Sequence, residues 1–250
     1  MADEMSSRVP RERAGGGVAD AVLLQPGMSK TLHNGLRVLE VLTARPTGIS
    51  VTDLSTSLGL HRTVTHRLLK TLEVHGLVVR DDFKRFLPGP RLVSLAESVE
   101  RDLRTLARPV LEELSALTNA TSYLVTAEGD DEAMALMVVE PRHARVHVAF
   151  QAGQRHPRDR GSAGIALLAG RPRLDGERPE VEQARQLGYA ISRAEVIPAT
   201  IGIASPVPSP RLRRPASLGI SVFEGAPLDE LGPQVTTAAT ALGRKLDAIL

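Results

Sequence analysis

Apolar residues in the first third of the chain recur at helical spacing in two short runs separated by a glycine. Leu54 and Leu58 stand four residues apart, and Val64, Leu68, Leu69 and Leu72 repeat on a period near 3.6. Each run predicts a helix with one buried face. Gly59 falls where the first must stop and the chain must reverse, and glycine adopts the positive φ such a stop uses with least strain. The pair reads as a helix-turn-helix. Upstream, Leu32, Leu36, Leu39 and Leu42 predict a third helix that buries these four positions and ends near Pro46 and Gly48. Downstream, "LVVR" and "RFL" alternate as strands, joined by a turn of Asp81, Asp82, Phe83 and Lys84. That hairpin is a wing, and residues 29–89 make a winged helix-turn-helix domain.

Residues 90–101 predict a linker helix. The amphipathic run that follows carries Leu103, Leu106, Val110, Leu111, Leu114 and Leu117, and Pro109 should kink it or begin a new helix. This stretch suits core packing and dimerisation equally. From Tyr123 onward the pattern changes to short strands: "SYLVTAE", "AMALMVVE", "RVHVAF", "YAISRAEV", "TIGIASPV" and "ASLGISVF". Helices punctuate them at "SAGIALLAG", "EVEQARQLG" and a C-terminal run. The expected fold class is therefore α+β, with an antiparallel sheet in a second domain over residues 102–250. Residues 1–28 lack the basic start and apolar core of a signal peptide and read as a disordered tail.

Charge sharpens the division. Residues 30–88 hold nine lysines and arginines against five acids, a net +4, while the rest of the chain holds 22 against 24. A modest, local excess suits contact with one DNA duplex. The outer face of the second helix of the pair carries Arg62, Thr63, Thr65, His66, Arg67 and Lys70, side chains that reach phosphates and base edges. Lys84 and Arg85 add a cationic wing tip, partly offset by Asp81 and Asp82. Arg62, Thr63 and His66 are expected to read bases, and Arg67, Lys70, Lys84 and Arg85 to lie nearer the backbone.

Composition excludes other classes. The chain has 250 residues, 42% of them hydrophobic, enough for two cores, and no cysteine, which removes disulfides and thiol chemistry. No apolar run approaches the roughly 20 residues that span a bilayer, so a cytoplasmic protein is expected. Arginine and alanine far outnumber lysine, a usage that suits a GC-rich bacterial genome. His143 and His147 sit four apart, but "ARVHVAF" alternates as a strand, which would separate them by about 13 Å. No metal site and no cofactor are expected. "RGSAG" is not a nucleophile elbow, because Arg160 stands where that turn needs glycine. With no HExxH, P-loop or paired carboxylates either, no enzyme is expected.

The winged helix, "GQRHPRDRGSAGIALLAG", "GYAISRAEVIPATIGIASPV" and "LGISVF" before a terminal helix together resemble the IclR family of transcriptional regulators, in order over about nine-tenths of the chain. That resemblance implies a GAF-like effector domain and a dimer or dimer of dimers. It also implies a double-stranded DNA operator at a promoter, expected to be repressed, and a small-molecule effector. In relatives the loop before the corresponding helix offers backbone N–H groups to a carboxylate. Those positions are Ser162 and Ala163 here, at a helix N-terminus, which favours anions. Glu195, Gly202, Ser221 and Phe223 fall at the other pocket positions. Ser162 as a helix cap, Ser221 as a strand residue and Phe223 as core are the bland alternatives, the last preferred over ligand contact. His156, in the loop leading to the pocket, reads more readily as solvated than as an effector contact. Ile165 departs from the family's usual lysine, Ala199 from its usual glycine, and Phe223 from a small or polar residue. The segment from Gly170 to Pro179 is shorter than usual, so that wall of the pocket could be open or rearranged. Only two tyrosines and four phenylalanines exist to stack on a ligand, so a small carboxylate fits best. The departures also leave open a DNA-binding or partner-docking protein whose pocket no longer binds anything.

Overall fold

The computed structural model describes residues 24–144 and 146–248. Residues 1–23, most of the expected tail, lie outside the described residues, and 24–28 end in a turn closed by the Met28 N–H on the Gln25 carbonyl. The chain forms two compact units, one reaching Ser98 and one beginning at Val99.

In the first unit, α1 (Lys30–Thr43), α2 (Val51–Leu58) and α3 (Arg62–Val74) precede a hairpin of β1 (Val78–Arg80) and β2 (Phe86–Pro88). Ser29 and Ser50 cap α1 and α2 through their hydroxyls, and Gly59 ends α2 at φ 65°. The core gathers Val38, Leu42, Ile49, Leu54, Leu58, Leu68, Leu69, Val78 and Phe86. Two expected faces are corrected. In α1 the buried positions are Asn34, Gly35, Val38 and Leu42, whereas Leu32 and Leu36 are exposed. In α3 the buried stripe is Thr65, Leu68 and Leu69, with Leu72 packed beside it, and Val64 is exposed. A seven-residue helix, α4 (Arg91–Glu97), closes this unit with no buried side chain.

The second unit opens with α5 (Arg101–Thr118), one helix that continues through Pro109 rather than restarting there. Its sheet comprises β3 (Thr121–Glu128), β4 (Glu132–Val139), β5 (Arg155–Pro157), β6 (Ala190–Arg193), β7 (Thr200–Pro206) and β8 (Ala216–Phe223). The strand order is β5-β4-β3-β8-β7-β6, and every neighbouring pair is antiparallel. Three helices complete it: α6 (Gly161–Ala169), α7 (Pro179–Leu187) and α8 (Leu228–Asp247).

Alternation along the strands sorts two cores. Leu124, Leu218, Ile220 and Val222 face α5 and α8, while Tyr123, Val125 and Ala127 face α6 and α7. Small residues line the second face: a Cβ on Gly219 would come within 2.7 Å of the Tyr123 ring, and one on Gly164 within 2.3 Å of the Arg158 carbonyl. That closeness lets α6 settle against the sheet, buried from Gly161 to Leu167. Ile165, which stands where the family usually has lysine, belongs to this core. "RVHVAF" is not a strand over its described residues. Gly153 and Gln154 bond Ala135, and β5 follows them along β4, so the outer edge of β4 is already taken.

Candidate nucleic-acid interface and ligand pocket

His61 begins α3, its Nδ1 accepting the Thr63 N–H at 3.3 Å. From that start Arg62, Thr63, His66, Arg67 and Lys70 are all solvent-exposed. Among the described residues none of Arg62, Arg67 and Lys70 is held in an ion pair. Thr65, expected among the DNA-facing residues, is instead fully buried. Its hydroxyl donates to the His61 carbonyl one turn back, which lets a polar residue sit in the apolar stripe.

At the wing, Lys84 is exposed at the tip with φ 63°. Arg85 is engaged internally: its backbone N–H and its Nε donate to Asp81 at 2.8 and 2.9 Å, and its guanidinium lies 5.2 Å from the Phe83 ring centre. Desolvation opposes ionisation of Asp81, but the bonds from Arg85 outweigh it and hold that carboxyl below its ordinary range.

The pocket lies between the N-terminus of α6, the edge of β7 and β8, and the 194–199 loop. Ser162, Ala163, Glu195, Gly202 and Ser221, the positions the family resemblance implied, all line it. Phe223 does not. It ends β8 opposite Thr200 and is 43% exposed, so neither the pocket nor the core reading holds for it. Tyr123, Phe150 and His156 also form the wall, with the two rings tilted at 59° and 5.3 Å apart. Tyr123 and Phe150 carry no local motif: β3 places Tyr123, and Phe150 comes in on an irregular segment tied to β3 by the Thr121 hydroxyl donating to the Val148 carbonyl. His156 is buried rather than solvated, and desolvation lowers its pKa, favouring the neutral ring.

Two N–H groups of the first turn of α6 point at acceptors of the chain itself. Gly161 donates to the Glu195 carboxylate at 2.7 Å, and Ser162 donates to the Ser192 hydroxyl at 2.7 Å. The Ser162 hydroxyl lies 3.0 Å from the Tyr123 hydroxyl and makes no cap bond, which removes the bland reading of that serine. Burial pushes the Tyr123 phenol up to about 12, against hydrogen bonds to Ser162 and Ser221 that act in the other direction. Arg178, from the shortened segment before α7, makes a two-point contact with Glu195 from outside the lining. Its Nη2 reaches one carboxylate oxygen at 3.0 Å and its Nη1 the other at 3.3 Å. The Arg178 bonds, opposed by desolvation and joined by the Gly161 N–H, hold Glu195 below its usual range. Ala199, where the family usually has glycine, sits at φ 58°.

The cavity itself is small, about 30 Å³, space for a few waters at most. Among the described residues no group of three or more potential ligands could hold a metal ion; His147 lies 3.4 Å from Glu140. No helix among the described residues is long and apolar enough to cross a membrane.

A basic recognition helix with a wing, followed by a sheet domain with a polar pocket, defines a DNA-binding transcription regulator. Residues 31–82 match the IclR helix-turn-helix domain. The HTH-type transcriptional regulator KipR of Bacillus subtilis is 23% identical over 87% of this chain and 97% of its own. The first unit therefore carries an IclR helix-turn-helix domain, and over most of its length the chain is similar to an HTH-type transcriptional regulator. Its fold is that of the IclR transcriptional regulator of Alicyclobacillus acidocaldarius, with a TM-score of 0.72 at 24% identity over 88% of this chain and 98% of that one. An IclR homologue of Microbacterium hydrocarbonoxydans, solved in complex with 4-hydroxybenzoate, superposes with a TM-score of 0.71 at 22% identity, covering 88% of this chain and 100% of that one.

Proposed function

We propose that this protein is a ligand-responsive regulator that binds a promoter operator as a dimer or dimer of dimers in the bacterial cytoplasm and represses the gene it covers. The observation that carries the DNA reading is the face of α3, where Arg62, Arg67 and Lys70 are exposed and free of ion pairs among the described residues. Arg62, Thr63 and His66, nearest the start of α3, are placed to read bases. Arg67, Lys70 and Lys84 contact phosphates, and Arg85 braces the wing. Leu32 and Leu36, exposed at 63% and 51% on α1, give a second copy an apolar surface to cover.

Fluorescence anisotropy with the duplex upstream of the gene and a scrambled duplex, across a salt series, tests this. Arg62→Ala should erase most of the discrimination between the two duplexes, a loss of about 1–3 kcal/mol on the specific one. Lys84→Ala should weaken both alike and lower the salt slope by about one. Equal losses for both variants on both duplexes would contradict the assignment.

The second unit is read as the effector domain, with Ser162, Ala163, Glu195, Gly202 and Ser221 at the site and a small carboxylate as ligand. The hydroxyls, the helix N-terminus and Arg178 support that chemistry. The cavity of about 30 Å³ favours a second reading, a DNA-binding or partner-docking protein whose pocket stays empty. Thermal stabilisation by a panel of small carboxylates separates the two, since a ligand that binds only the native state must raise the unfolding temperature.

A further inference from the structure

The pocket is narrowed by the chain itself. Glu195 receives the Gly161 N–H and both terminal nitrogens of Arg178, and its side chain is only 26% exposed. Arg178 is tied down in turn by the Asp159 carbonyl at 2.6 Å and by Glu180. The loop that Glu195 anchors starts and ends on alanines in the left-handed region, Ala194 at φ 53° and Ala199 at φ 58°. Alanine is strained there, so this loop holds its shape because its contacts impose it. Val196, beside Glu195, lies over Gly161 so closely that a Cβ there would come within 2.5 Å of it. What remains inside has room for a few waters at most.

We infer that Glu195 is a latch that holds the 194–199 loop shut over the pocket, and that a carboxylate ligand enters by displacing the Glu195 side chain from Gly161 and Arg178. This rests on the effector reading of the second unit. The incoming anion takes over the cation and the N–H that Glu195 vacates, and Glu195 moves to solvent with its charge intact. Release of the loop lets Ala194 and Ala199 relax and enlarges the cavity. Affinity for the ligand is therefore set against an internal competitor.

The test is calorimetric titration of the full chain with pyruvate and with benzoate, for the wild type, Glu195→Gln and Glu195→Ala. Hydrogen exchange of residues 194–199 is followed in the same samples, and operator binding with and without each carboxylate is read beside it. Removing the competitor should tighten binding of at least one carboxylate by tenfold or more, most in Glu195→Ala. Exchange in the loop should quicken in both ligand-free variants and in the ligand-saturated wild type. A gain in affinity cannot come from damage to the fold, and the wild-type exchange arm needs no variant at all. Wild-type binding as tight as that of both variants, or a loop whose exchange does not respond to ligand, overturns the latch while leaving the effector reading in place. Tighter binding in the variants with operator affinity unchanged by ligand upholds the latch and removes the effector reading. No binding by any of the three proteins overturns both.

Discussion

Gly202 shows how little room single atoms leave at the pocket. A Cβ there would come within 2.4 Å of the Ser162 hydroxyl oxygen and 3.3 Å of that of Ser192. Gly202→Ala should lower stability by about 1–3 kcal/mol in urea unfolding and abolish carboxylate binding in calorimetry, because the intruding methyl displaces both hydroxyls. This glycine, with Ser162, Ala163, Glu195 and Ser221, could be named from the sequence because the stretches that resemble the IclR family carry these positions. Tyr123, Phe150 and His156 could not, since the β3–β4–β5 pairing brings Tyr123 and His156 together and an irregular segment anchored on Thr121 brings Phe150. The misplacements have local causes. Thr65 looked polar and therefore outward, yet its hydroxyl is satisfied within its own helix, so Thr65, Leu68, Leu69 and Leu72 form the true stripe and Val64 lies about 100° off it. Phe223 sits at the one exposed position of β8, where the alternating pattern has already run out.

At the scale of elements, the wing differs most from its sequence reading. Asp81 neutralises Arg85 within the hairpin rather than merely diluting the charge beside it. Asp81→Asn should free one cation and remove one anion at the tip, raising affinity for both operator and scrambled duplexes. It should steepen the salt slope by about one in anisotropy titrations. Unchanged slopes would mean that the hairpin does not touch phosphate. The α-helices and the five longer strands were readable because each repeats its own period over several residues. β5 was not, because its three residues, Arg155, His156 and Pro157, carry no apolar alternation. "RVHVAF" had the alternation of a strand and no free strand edge to pair with, since residues 153–157 occupy that side of β4. Two apolar stripes run along α1, and periodicity alone does not say which one meets α3; the structure buries Val38 and Leu42 and leaves Leu32 and Leu36 outside.

For the whole molecule, each unit has its own core. The first gathers around Leu42, Leu54 and Leu69, and the second builds one core on each face of its sheet. Leu54→Ala, at a fully buried site, should destabilise the first unit by about 2–5 kcal/mol. Scanning calorimetry should show its transition moving down while that of the second unit stays in place. A common shift of all the heat would show the units to be coupled. The topology of the second unit has a further consequence. Its first strand pairs with its last, β3 with β8, and one core joins Leu103 and Leu111 from its beginning to Leu242 and Leu246 near its end. A ribosome releases the winged helix complete, with only short-range contacts to make, long before the sheet can close. Throughout translation of the second unit, therefore, the nascent chain carries a finished DNA reader without the domain proposed to control it.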